Sequence, residues 1–130
     1  MKSGLTQKQI LQKETRMVYL YNKSNTRKIK LCKENIYCWY DCIDEEGYKY
    51  ELKSVRHMPG KFTNKSMGNN KLDKGENFRI IYHFLNDDLY YIDSTNVKEE
   101  WRISDKDKMA AIPFKSLIKI EQCFLYLDNI

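Results

Sequence analysis

The chain has no CxxC pair, and neither of its two histidines, His57 and His83, stands at zinc-ligand spacing from a cysteine. A structural zinc knot or a dithiol redox motif is thereby excluded. No glycine-rich segment ends in GK[ST], so no phosphate-binding P-loop is present. No apolar run approaches a membrane span, and the N-terminus carries no apolar signal segment. The expectation is a chain that is not secreted and does not engage a membrane. Its cysteines, Cys32, Cys38, Cys42 and Cys123, read as thiols of a reducing compartment, cytoplasmic or nucleoid/nuclear. The sequons at Asn22 and Asn64 then carry little meaning. There is no internal repeat, and no break long enough to demand a second domain.

What is present is modest basicity and abundant tyrosine. Lysine and arginine number 23 against 18 acidic residues, a formal charge of +5 that suits a polyanionic partner as well as an ordinary soluble surface. Ten tyrosines and two tryptophans can stack on bases where they alternate with lysine, or pack a core where they fall in strand-like runs. At 130 residues the chain, 1–130, fits one domain.

The most informative stretch is 36–56, IYCWYDCIDEEGYKYELKSVR. Two apolar-aromatic runs flank the acidic turn Asp44-Glu45-Glu46-Gly47, which is the pattern of a β-hairpin. A three-residue loop Glu45-Glu46-Gly47 puts Gly47 at the left-handed position such loops require. Asp44 then faces Tyr48, and stepping outward pairs Asp41 with Glu51. Side chains alternate along a strand and opposed residues share a face, so Asp41, Glu51 and Lys53 converge. A two-residue loop would scatter them. Carboxylates opposed across a ladder repel unless a cation lies between them. Mg²⁺, with Mn²⁺ as a substitute, suits such a place because it takes oxygen ligands and often only one or two protein carboxylates. On the same strand Cys38 and Cys42 fall on the face opposite Asp41 and read as buried thiols.

Asp41, nine residues, then Glu51-Leu52-Lys53 resembles the D…(E/D)xK pattern of the PD-(D/E)xK nuclease superfamily, which includes many restriction endonucleases and archaeal Holliday-junction resolvases. Tyr40 stands where the motif has proline, a residue many members also lack. The resemblance covers roughly 6–93 and implies a helix followed by a hairpin, further strands and a helix. It implies Asp41 and Glu51 as metal ligands and Lys53 as partner of the attacking water. Glu14, on the helix before the hairpin, takes the place of a supporting glutamate.

That helix spans 6–22, opened by a Thr6/Gln9 capping box and carrying an apolar stripe of Ile10, Leu11, Met17, Val18 and Tyr21. Glu14 interrupts the stripe. A short strand is expected at 28–31 and a turn at 33–35. Beyond the hairpin, Arg56, His57, Lys61, Lys65 and Lys71 are placed to meet phosphates, the last three in the sparsely patterned segment 58–77. That segment suits a loop closing on nucleic acid. The run 78–84, FRIIYHF, reads as a central strand, followed by a turn at Asn86-Asp87-Asp88 and a strand at 89–92. His83 reads as a structural histidine and Trp101 as a packing residue. Ser104 and Asp107 suggest a capped short helix that Pro113 ends. Phe114, Leu117, Ile118, Phe124, Leu125 and Leu127 supply late apolar surface.

The sequence thus leads to an α/β (α+β) domain, a helix on a mostly antiparallel mixed sheet, with a restriction endonuclease-like core and its carboxylates at one sheet edge. The expected activity is metal-dependent hydrolysis of DNA by a homodimer. The alternative, from another class, is a non-catalytic nucleic-acid-binding or inhibitory accessory protein of a virus or mobile element, acting on DNA or on a protein partner.

Overall fold

The computed structural model describes residues 6–32, 38–60, 66–101 and 109–121. The helix α1, Gln7–Ser24, begins where the capping box places it. The Thr6 hydroxyl accepts from the Gln9 amide at 3.1 Å, and the Gln9 side chain accepts from the Thr6 amide at 2.9 Å. At the far end the Asn25 side chain donates to the Tyr21 carbonyl at 2.8 Å, which satisfies one of the carbonyls a helix end leaves open. Only the C-terminal half of α1 is packed: Met17, Leu20 and Tyr21 are buried, and Val18 lies against them. Ile10 and Leu11, expected in the apolar stripe, are exposed. Helical spacing cannot reveal how far along a helix its supporting sheet extends.

Among the described residues eight strands follow the helix: β1 Ile29–Leu31, β2 Cys42–Asp44, β3 Lys49–Ser54, β4 Ser66–Gly68, β5 Phe78–His83, β6 Leu89–Asp93, β7 Met109–Ala111 and β8 Ile118–Ile120. Six of them form one mixed sheet in the order β1-β2-β3-β5-β6-β8, while β4 and β7 pair separately. The large sheet is antiparallel except between β3 and β5, which run parallel with Glu51 beside Ile80 and Lys53 beside Tyr82. Parallel neighbours cannot be joined by a tight turn; they need a crossover of a dozen or more residues. Residues 55–77 are that crossover, which accounts for the length of the segment that looked unpatterned. Its described part contains β4 and the one-turn helix α2, Asn69–Leu72, rather than a bare loop.

Strand alternation divides the apolar residues between two cores, one on each face of the sheet. Tyr50, Leu52, Ile81 and Leu89 face α1 together with Ile29 and Cys42. Val55, Ile80, Tyr82 and Ile92 face the other way, where Leu72 of α2, Ala110, Ile112, Leu117, Phe114 and both tryptophans cover them. The run 78–84 is therefore buried on both faces, as a central strand should be.

Several expectations require correction. The strand of the hairpin begins at Cys42, and 38–41 forms a bend, so Cys38 does not share a strand face with Cys42. Cys38 is instead bonded to Cys32, with an S–S distance of 2.01 Å, while Cys42 is a buried free thiol. Residues 109–111, expected to continue a helix toward Pro113, pair with β4 as a strand. The proposed box at Ser104 and Asp107, the turn at 33–35, and Phe124, Leu125 and Leu127 lie outside the described residues. Ile118 is exposed on the outermost strand, β8.

The hairpin turn is secured by Asp44, itself buried. Its Oδ1 accepts from the amides of Glu46 and Tyr48 at 2.9 and 3.0 Å, and its Oδ2 from the Tyr50 hydroxyl at 2.9 Å. Gly47 takes the left-handed conformation, φ +86°, that the three-residue loop demands. Asp44→Ala removes all these acceptors, the carboxylate partner of the buried Tyr50 hydroxyl among them. A loss of about 3 kcal/mol is expected, read from urea unfolding, with Asp44→Asn less affected.

Candidate functional site

The turn sets the register, and the register places the carboxylates. Cys42 faces Tyr50 and Ile43 faces Lys49, so one further step brings Asp41 toward Glu51 as the three-residue loop requires. Asp41 sits just outside the ladder: its amide donates to the Tyr50 carbonyl at 2.9 Å, and its Oδ2 accepts the Leu52 amide at 2.8 Å. Its side chain thus replaces a backbone acceptor where β2 ends.

Glu51 is 5% exposed, near the middle of a strand that lies third of six in the sheet. The carboxylates were expected at a sheet edge, and the strand order overturns that: β3 is interior. An ionised group so buried needs partners. Lys71 of α2 supplies them, its Nζ lying 2.8 Å from Oε1 and 2.9 Å from Oε2. Lys53, two residues along β3 and on the same face, lies 3.7 Å from Oε2. Burial first, and then the charge of Asp41, push the Glu51 pKa above the usual carboxylate range, against the pull of Lys71 and Lys53.

Glu14 stands on α1, over the face opposite to Glu51. It is half-buried, and its pKa is raised by burial first and then by Asp41 and Glu51. It therefore feels the site's charge without entering its hydrogen bonds. Cys42, on the helix side, responds to the same carboxylates, its thiol pushed up by burial and by Asp41, Glu14 and Glu51.

On the Glu51 face, Tyr82 of β5 is fully buried beside Lys53. Its hydroxyl has no hydrogen-bond partner among the described residues. Burial and the charge of Glu51 raise its pKa. Sequence reasoning missed this residue, because a tyrosine inside an apolar strand looks like core. It also placed Lys71 among phosphate-binding residues of a loop, whereas here the ammonium is turned inward onto Glu51.

Of the remaining expected phosphate contacts, Arg56 and His57 fall among the described residues. Arg56 is exposed beyond β3; the His57 ring packs edge-on against Phe84, with Nδ1 2.8 Å from the Met58 carbonyl oxygen. Lys61 and Lys65 lie outside the described residues. His83 is structural, its Nε2 lying 2.7 Å from Asp87, which also takes two bonds from Arg16 of α1. These contacts join the β5–β6 turn to the helix.

Among the described residues, no three histidine, cysteine, aspartate or glutamate side chains converge closely enough to hold a metal ion. The donor set of Asp41 and Glu51 is nevertheless all oxygen. That is the donor chemistry a hard cation takes, while the place beside Glu51 receives its positive charge from the Lys71 ammonium. No protein-family model matches the chain, and no curated protein resembles it at a significant level.

Two titrations are expected to separate site from scaffold. A raised folded-state pKa means that Glu14 favours the fold when protonated, and that this contribution is lost as pH rises through the folded value. Glu14→Gln should therefore melt about 2 °C higher than the parent at pH 7 and show no gain at pH 4, followed by circular dichroism. Asp87 behaves oppositely: the hydrogen bond from Arg16, then that with His83, hold its pKa down to about 2. Its contribution is full above the ordinary carboxylate range and lost as pH falls through the folded value. Asp87→Asn, which still accepts the positive φ of 70° at this position, should lose less than about 1 kcal/mol at pH 7 and progressively less toward pH 2.

Proposed function

We propose that this domain is a metal-dependent endonuclease that hydrolyses DNA phosphodiester bonds, with a restriction endonuclease-like core. The observation that carries the reading is the hairpin register, which brings Asp41 toward Glu51 and sets Lys53 on the Glu51 face. A helix preceding this hairpin, and a further strand, β5, beside the lysine-bearing strand, agree with the order of elements that the D…ExK resemblance implies.

In this reading Asp41 and Glu51 would hold Mg²⁺ or Mn²⁺. Such a cation, when bound, polarises a phosphoryl oxygen and lowers the pKa of its water. The protein's own part is positional. Lys53, anchored in a central strand with its ammonium near Glu51, orients the attacking water and offsets negative charge developing on phosphorus. The β3–β5 pair holds that lysine on a rigid support, which limits the misplacement that slows such reactions. Glu14 tunes the field of the two carboxylates from across the sheet. A homodimer would present two such sites to the two strands of a duplex.

A second reading keeps DNA binding without hydrolysis. It is favoured by the engagement of both Glu51 oxygens by Lys71, which makes the carboxylate part of a closed ion pair.

Cleavage of labelled duplex, branched and single-stranded DNA with Mg²⁺ or Mn²⁺ decides between them. The nuclease should lose at least about a hundredfold in rate in each of Asp41→Asn, Glu51→Gln and Lys53→Met, with folding retained. Salt-sensitive binding with no cleavage by the parent protein would select the non-catalytic binder. Cleavage undiminished by all three substitutions would remove the site from the hairpin.

A further inference from the structure

Lys71 reaches Glu51 from the crossover rather than from the sheet. β3 and β5 pair parallel, so the intervening chain must cross over the sheet, and α2 lies on the Glu51 face, where Leu72 packs with Val55, Ile80 and Tyr82. The Lys71 ammonium meets both oxygens of a carboxylate that is otherwise sealed from water. The Lys71 side chain itself remains 30% exposed, so its stem has an open side along which to move. Lys53 lies further from Glu51 and is carried by a rigid strand, so of the two it is Lys71 that can leave. Near the pair, the buried Tyr82 hydroxyl is a polar position that none of the described residues satisfies. Natural interiors rarely leave such a group without a partner supplied by water or ligand.

Resting on the nuclease reading above, we propose that the Lys71 ammonium holds the position beside Glu51 that the divalent cation would take. The incoming cation displaces it from Glu51, and the released lysine binds a backbone phosphate of the DNA. One residue thus serves first as internal counter-charge and then as substrate contact. Without such a counter-charge, Glu51 would stand buried and ionised beside Asp41, which is costly for the fold. With it, the site is held together until both cation and polyanion are present. Cation and DNA should therefore bind cooperatively, because DNA phosphate stabilises the displaced lysine.

The test uses the intact protein, Ca²⁺ as the cation and a short DNA duplex as the polyanion. Calorimetric titration of Lys71→Met should show Ca²⁺ binding about tenfold tighter than in the parent, since the competing ammonium no longer reduces the fraction of free carboxylate. In saturating Ca²⁺ the same variant should bind duplex about tenfold more weakly, the loss of one charge-assisted hydrogen bond. The slope of log affinity against log salt should fall by about 0.9. Lys71→Arg should keep the parental salt slope. In the unaltered protein, Ca²⁺ should accelerate amide exchange across 69–72, a measurement that needs no variant to fold. A purely structural lysine would lower the melting temperature in Lys71→Met and leave Ca²⁺ affinity unchanged or weaker. That result, or unchanged exchange across 69–72 on Ca²⁺ binding, overturns the displacement. If the parent protein binds Ca²⁺ and cleaves DNA with Mn²⁺ while Lys71→Met matches it throughout, the inference alone fails. If the parent neither binds Ca²⁺ nor cleaves, the nuclease reading fails with it.

Discussion

A carboxylate in the interior of a sheet must be given a counter-charge, and the arrangement around Glu51 follows from that need. The strand that carries it has neighbours on both sides, and its two faces are covered by separate cores. Water cannot solvate the group, and Asp41 adds like charge. The pair with Lys71 answers both problems and fastens the crossover helix to the sheet. Removing one partner of such a pair leaves a buried unpaired charge, generally a larger penalty than the pair's own net worth.

The parallel pairing of β3 and β5 is the second organising fact. It makes 55–77 a crossover, brings Tyr82 beside Lys53, and buries 78–83 on both faces. The antiparallel β5–β6 hairpin then closes through Asp87, whose bonds to Arg16 and His83 tie that turn to α1. The helix and the crossover are thus each held by an ionic contact from a distant part of the chain, Arg16 to Asp87 and Lys71 to Glu51.

The abundance of aromatic residues is explained largely by packing. Trp39 meets Phe78 edge-on with centroids 5.2 Å apart, and Phe84 contacts both Tyr90 and Phe114. These geometries are the ones aromatic quadrupoles favour, and they fill the core opposite α1. Cations lie over several of the more exposed rings, as Arg79 over Tyr91 at 3.8 Å and Lys74 over Trp39 at 5.8 Å. Interleaved lysines and tyrosines, which can signal base stacking, here satisfy one another.

The sequence by itself determined what local chemistry can enforce. Thr6 and Gln9 start the helix because a capping box needs only residues three apart. Gly47 sets the hairpin loop, and the loop fixes the register that brings Asp41 toward Glu51, because a one-residue slip would reverse every side chain. Trp101 was likewise legible as packing, and His83 meets Asp87 through Nε2, although its buried Nδ1 has no partner among the described residues. Tertiary structure alone decided the rest. Ile10 and Leu11 lie exposed because the sheet does not support the start of the helix; Cys38 bonds Cys32; and 109–111 becomes a strand because β4 offers a partner. The inward turn of Lys71 onto Glu51 bridges 20 residues of sequence. It depends on a parallel strand pairing that no short-range pattern encodes, because the energy that selects that pairing comes from burying both faces of β5 at once.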